Sequence, residues 1–173
     1  MLKRAHDGTN VLSAYYVYDD FGLLRYVIPP QTTISLDGSN NSIVTATELA
    51  LYCYSYKYDS RKRMVRKKLP GADSVLLVYD NRDRLVATQD GVQRSSATAS
   101  NRDWSFTKYD KLDRPVLTGT IKSSNTRVQM QTAVNTYSGV NLYEDRTSSS
   151  TNHYFTDKSF PDSGYSKTYL SVK

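Results

Sequence analysis

Apolar and polar residues alternate with a period of two in parts of this chain, the spacing of a strand with one face turned inward. Tyr52, Tyr54, Tyr56 and Tyr58 take every second position, which predicts a row of four tyrosines on one face of a strand. Four pairs of such segments flank turn-forming clusters: 14–18, 51–58, 74–79 and 104–109 lead into a turn, and 24–28, 64–69, 85–88 and 115–121 lead out. Stretches rich in Ser, Thr, Asn and Gly at 31–42, 92–102 and 121–125 read as loops. Two places change to a helical period. Thr45 and Glu48 have capping-box spacing ahead of Leu49 and Leu51, while Met130, Ala133, Val134 and Tyr137 fall at i, i+3, i+4 and i+7 before Gly139 as a stop. Beyond 140 a less regular β region is expected, with strands at 141–144, 153–156 and 167–172 and a turn at Phe160-Pro161-Asp162-Ser163-Gly164. The predicted fold is all-β in the main: one domain, 1–173, of successive antiparallel hairpins in a curved sheet, with one or two short helices in insertions.

One motif recurs at the turns. Tyr18-Asp19-Asp20-Phe21-Gly22, Tyr58-Asp59-Ser60-Arg61-Lys62-Arg63, Tyr79-Asp80-Asn81-Arg82-Asp83-Arg84 and Tyr109-Asp110-Lys111-Leu112-Asp113-Arg114 share the pattern Tyr-Asp-x-x-(Gly/Asp)-Arg-apolar. The copies start at 18, 58, 79 and 109, separations of 40, 21 and 30 residues, so repeats near 14–28, 51–69, 74–88 and 104–121 carry insertions of unequal length. An Asp that opens a turn can accept hydrogen bonds from backbone N–H groups just beyond it. Asp19, Asp59, Asp80 and Asp110 have that place. Three residues further on, a type I turn with a bulge needs a left-handed backbone, which Gly22 adopts freely, Asp83 and Asp113 tolerate, and Lys62 fits poorly. The Arg that follows (Arg63, Arg84, Arg114) can reach back to the turn Asp or lie over a neighbouring Tyr ring, and the first copy lacks it.

Composition adds little to the fold and narrows the chemistry. Fifteen tyrosines against four phenylalanines and one tryptophan put the apolar mass into rings with a polar tip, suited to half-wet sheets. The formal charge of +6 is a modest excess of 23 basic over 17 acidic residues, and nucleic acid is not the expected partner. A single cysteine, Cys53, excludes an internal disulfide, and with His6 and His153 alone beside it no structural zinc set forms. Met1-Leu2-Lys3-Arg4 lacks the apolar stretch a signal peptide needs, and no apolar run approaches the roughly 20 residues of a membrane-spanning helix.

Candidate chemistry is sparse. No nucleophile elbow, phosphate-cradling glycine loop or His-Glu-x-x-His occurs, so no catalytic residue, metal site or cofactor is expected. Cys53, in an alternating apolar segment, reads as a small buried residue rather than a nucleophile. The turn Asp and Arg residues read as structural, because they recur at matched positions. Tyr52, Tyr54 and Tyr56, together with Arg61, Arg66, Lys67 and Lys68, form a candidate ligand surface for glycan or a polyanion, against the plainer reading of cross-strand packing and a solvated basic tip.

The Tyr-Asp-x-x-Gly-Arg-Leu unit resembles the signature of Rhs and YD-repeat proteins. The stretches from Tyr16 to Pro30, from Lys57 to Ala72 and from Phe106 to Gly119 are similar to the form found in large surface or secreted proteins of Bacteroidetes. That resemblance covers nearly the whole chain. It implies a strip of hairpins winding into a partial spiral shell, a non-catalytic casing or scaffold on a secreted or cell-surface protein of polymorphic-toxin type. The implied partners are the remainder of a larger YD-repeat polypeptide or an enclosed effector, with self-association through open sheet edges. The Asp-Pro-x-Gly self-cleavage motif of toxin shells is missing, so cleavage is assigned to no residue here.

Overall fold

The computed structural model describes residues 2–6, 8, 11–32, 35–36, 42–95, 98, 100, 102–137, 142–162 and 164–172. It is mainly β, built from successive antiparallel hairpins with three short helices among the described residues. Their contacts separate into two compact units, Met1–Val75 and Leu76–Lys173.

The first unit contains β1 (Leu2–His6), β2 (Val11–Tyr18), β3 (Leu24–Ile28), β4 (Ser35–Leu36), β5 (Ser42–Ile43), α1 (Ala46–Leu51), β6 (Tyr54–Tyr58) and β7 (Met64–Lys68). Five strands pair antiparallel in the order β1-β2-β3-β6-β7, and β4 pairs with β5 inside the insertion. β1 was not singled out by the alternation; it pairs with the outer half of β2, from Leu2 opposite Tyr15 to His6 opposite Val11. The Thr45 capping box forms as expected: the Thr45 hydroxyl oxygen accepts from the Glu48 N–H and the Glu48 carboxylate from the Thr45 N–H. That helix corrects the row of four tyrosines. It extends through Leu51, and Tyr52 closes it by donating its N–H to the Glu48 carbonyl at 2.8 Å. The strand therefore starts at Tyr54 and its alternating tyrosines are Tyr54, Tyr56 and Tyr58. Cys53 lies between helix and strand, fully buried, with its sulfur 3.8 Å from the Thr32 hydroxyl; burial pushes the thiol pKa up. Ile28 and Val65 are the other buried apolar side chains among the described residues of this unit.

The second unit holds β8 (Val75–Tyr79), β9 (Leu85–Gln89), α2 (Gly91–Arg94), β10 (Asp103–Tyr109), β11 (Pro115–Lys122), α3 (Arg127–Tyr137) and β12 (Lys167–Val172). Its strands pair antiparallel in the order β8-β9-β10-β11-β12. The helical spacing at 130–137 is borne out. Met130 and Val134 on α3 are fully buried against Val78, Val86, Ala87, Trp104, Phe106 and Ile121, with Phe160 closing the cluster. Full burial of each such side chain stabilises by about 1.5–3 kcal/mol. Gly139 and Asn141 lie outside the described residues, as does Ser163 of the expected 160–164 turn. Of the strands expected beyond 140, β12 forms; 153–156 contributes only one bridge, Phe155 to Arg146, and 142–144 is irregular. Gly119 of β11 stands opposite Tyr169 of β12, beside a register shift. A Cβ there would sit 2.2 Å from the Thr168 carbonyl oxygen and 2.8 Å from the Phe106 ring.

Candidate functional site

All four predicted turns adopt one geometry. The residue after Tyr donates its N–H four residues on and accepts from three residues on: Asp19 with Leu23 and Gly22, Asp59 with Arg63 and Lys62, Asp80 with Arg84 and Asp83, Asp110 with Arg114 and Asp113. The left-handed position is filled as expected, at φ 74° for Gly22, 63° for Lys62, 62° for Asp83 and 61° for Asp113. In each case the register shifts by one residue at the Tyr: Tyr18, Tyr58, Tyr79 and Tyr109 all sit beside a bulge. One Asp oxygen, Oδ1, accepts from two backbone N–H groups, as in Arg82 and Arg84 to Asp80 at 2.9 and 3.0 Å. The other, Oδ2, takes the Arg: Nε lies 2.8 Å away in Asp59–Arg63 and 2.7 Å away in both Asp80–Arg84 and Asp110–Arg114. The first repeat substitutes Arg25, two residues late and 3.6 Å from Asp19.

The hairpins are also tied to one another. Tyr58 donates its hydroxyl to the Leu24 carbonyl at 3.0 Å within the first unit, and Tyr109 donates to Leu85 at 2.8 Å within the second. In both pairs the acceptor lies six residues after the Tyr of the preceding Tyr-Asp copy in that unit. Arg84 does most. It chelates Asp80, bonds Asp113 of the next turn at 2.8 Å, reaches the Leu142 carbonyl, and lies over the Tyr109 ring. Arg82 adds a second bond to Asp113 at 2.7 Å. Tyr79 is held through its backbone by the Gln131 amide of α3, at 3.2 and 2.6 Å.

The candidate ligand surface divides. Tyr56 stands opposite Lys67, whereas Arg66 stands opposite Lys57 and Lys68 opposite Ser55, so Tyr54, Tyr56 and Lys67 share one face and Arg66 and Lys68 the other. Arg66 is engaged with the Ser74 hydroxyl at 2.7 Å, and Lys68 with the Ala50 carbonyl near the end of α1. Tyr52 lies off the strand, and Arg61 is at the exposed turn tip. A groove of 260 Å³ is lined by Tyr26, Leu49, Tyr56, Lys57, Arg66 and Lys68.

A polar cluster in the second unit escaped the sequence. Lys108 is fully buried, with Nζ 2.6 Å from Asp157 Oδ1, 2.9 Å from Glu144 Oε1 and 2.9 Å from the Ser159 carbonyl. Glu144, equally buried, also accepts from the Thr156 hydroxyl, the Lys158 N–H, and the N–H and hydroxyl of Ser159. Lys167 holds the other Asp157 oxygen at 2.8 Å. Burial raises the pKa of both acids, and their partners outweigh it: Lys108 with the Ser159 and Thr156 hydroxyls for Glu144, Lys108 and Lys167 for Asp157, so both sit below the ordinary carboxylate range. Alongside, Tyr169 stacks edge-on against Phe106 and His153, with its hydroxyl buried and pushed up to about 12, first by burial and then by Asp157 and Glu144. One signal was available: Lys108 follows Trp104 and Phe106 at period two, which places it on the inward face of β10.

Among the described residues no group of three or more His, Cys, Asp or Glu is placed to hold a metal, and no helix is long and apolar enough to cross a membrane. A scan against protein-family models finds no match to this chain, and neither does a search of the curated proteins.

Proposed function

We propose that this chain is a non-catalytic segment of a YD-repeat casing or scaffold, of the kind that belongs to secreted or cell-surface Rhs proteins. The observation that carries the reading is the fourfold recurrence of one turn geometry, with Oδ1 of each Asp holding two backbone N–H groups and Oδ2 of Asp59, Asp80 and Asp110 holding the Arg. A side chain with both carboxylate oxygens committed to its own turn is spent on architecture. The function of such a strip is mechanical: each hairpin fixes its own reversal and presents an edge to the next. β12 pairs on one side with β11 and carries Leu170 outward at 70% exposure, an edge suited to a further strand. The partners that fit are further hairpins of a longer polypeptide, or a second copy of this chain.

Sedimentation velocity over a concentration series tests this. The expected result is concentration-dependent association that Leu170→Lys abolishes. A monomer at every concentration, combined with retention on heparin beyond that of a charge-matched control, overturns the casing in favour of a polyanion-binding surface.

A further inference from the structure

We propose that Lys108 and Asp157 condense into an amide, a covalent bond between side chains that locks the irregular 142–162 segment onto β10. The geometry satisfies what such a bond requires. Lys108 Nζ touches the carboxyl that would acylate it, 2.6 Å from Oδ1, and its remaining donors are fixed on Glu144 and the Ser159 carbonyl, so the amine cannot swing away. Side-chain exposure is nil for Lys108 and Glu144 and 16% for Asp157, so the bulk water that would reverse the condensation is held off. Reactants fixed this way reach effective concentrations on the order of 10⁵ M and above. The thermodynamic direction is favourable for the same reason: a buried ion pair carries a large desolvation cost, and a neutral amide with hydrogen-bond partners carries less.

The step balances without any other reactant. Nζ attacks Cγ of Asp157 and the Cγ–Oδ1 bond breaks. Of the three ammonium protons, two leave with Oδ1 as water and one stays on the amide nitrogen. Glu144 Oε1, 2.9 Å from Nζ, takes a proton from the amine and returns it to the departing oxygen, ending as the carboxylate it began as. Lys167, 2.8 Å from Oδ2, faces the oxygen on which negative charge gathers in the tetrahedral intermediate. After the reaction Glu144 keeps its bonds to Thr156, Lys158 and Ser159, and Lys167 remains the counter-charge, so no lone buried charge is created. The link would close 49 residues of chain, across a stretch whose regular structure after α3, among the described residues, is otherwise one isolated bridge.

Intact-mass measurement of the purified 173-residue chain, followed by tandem mass spectrometry of a protease digest, decides the matter. The expected mass is lower than the sequence mass by one water, with a single branched peptide joining Lys108 to Asp157. Lys108→Arg and Glu144→Gln should restore the full mass, while Asp157→Asn should give the same branched product by losing ammonia in place of water. A folded wild-type chain at full sequence mass overturns the proposal, as does a water loss that maps to any other pair, Lys167 with Asp157 included. The wild-type measurement stands alone even where a variant fails to fold.

Discussion

The guanidinium of Arg84 lies over the ring of Tyr109, 4.8 Å from its centroid. Arg84 belongs to the third Tyr-Asp turn and Tyr109 opens the fourth, so one cation closes its own turn and packs against the next. Its side chain is 8% exposed and that of Asp80 4%, which makes this the buried version of a pair that Arg114 repeats at the surface with 70% exposure.

Burial sets the size of the effect. Arg84→Ala removes the guanidinium from a buried carboxylate and should cost about 3–5 kcal/mol. Arg84→Lys keeps the charge but not the fork or the stacking, and should fall between that variant and wild type. Arg114→Ala should move the midpoint far less. Trp104 is the only tryptophan and is fully buried in the second unit, so urea unfolding followed by its fluorescence reports that unit alone.

At Lys62 two effects oppose each other. The left-handed backbone costs a residue with a Cβ about 1 kcal/mol, while its ammonium lies 5.3 Å from the Phe21 ring centroid. Lys62→Ala loses the ring contact and keeps the strain, whereas Lys62→Gly loses both. The glycine variant should therefore be the more stable of the two by about 1 kcal/mol, read from amide exchange in β6 and β7. Equal stabilities would mean the turn does not hold its left-handed residue in solution.

Gly119→Ala should be among the most damaging small substitutions in the chain. Its methyl group meets a backbone carbonyl and an aromatic ring, neither of which can swing aside. The loss should amount to several kcal/mol, roughly 3 or more, with β12 released from β11 and the exchange of its amides accelerated. A variant that melts with the wild type would show that β12 is not paired at this register.

The acid limb of stability comes in part from Asp59. Burial raises its pKa, but the hydrogen bonds and charge of Arg63, with the Arg61 N–H, bring it below its ordinary value of 3.8. A folded-state pKa below the unfolded one means the stabilisation is complete above the unfolded value and disappears as pH falls through the folded one. NMR signals of the 59–64 turn should hold their positions down to about pH 4 and shift below it. Asp59→Asn should remove that acid-dependent change along with part of the stability at neutral pH.

The turns were readable from the residues because everything that makes them is local: an Asp, a tolerant third residue and an Arg, all within four positions of one another. The helix faces at 46–51 and 130–137 were readable for the same reason. Tyr52 was misplaced because an alternating pattern cannot show that a capped helix has already used the first of four tyrosines. The Lys108 cluster stayed hidden because its partners lie 36 to 51 residues away, in a stretch with no period. Arg66 and Lys68 were legible only as charges at the end of a hairpin; their bonds to the Ser74 hydroxyl and to the Ala50 carbonyl of α1 depend on residues 8 and 18 positions away.

The hydroxyl links from Tyr58 to Leu24 and from Tyr109 to Leu85 span sequence gaps of 34 and 24 residues with the same bond. What intervenes among the described residues, a helix and small hairpin in one case and a single helical turn in the other, leaves the join unchanged. The Tyr-Asp motif thus works as punctuation rather than as a ruler. It marks where one clause of chain must end and grip its predecessor, and it leaves the length and content between marks free to vary without disturbing the grammar of the sheet.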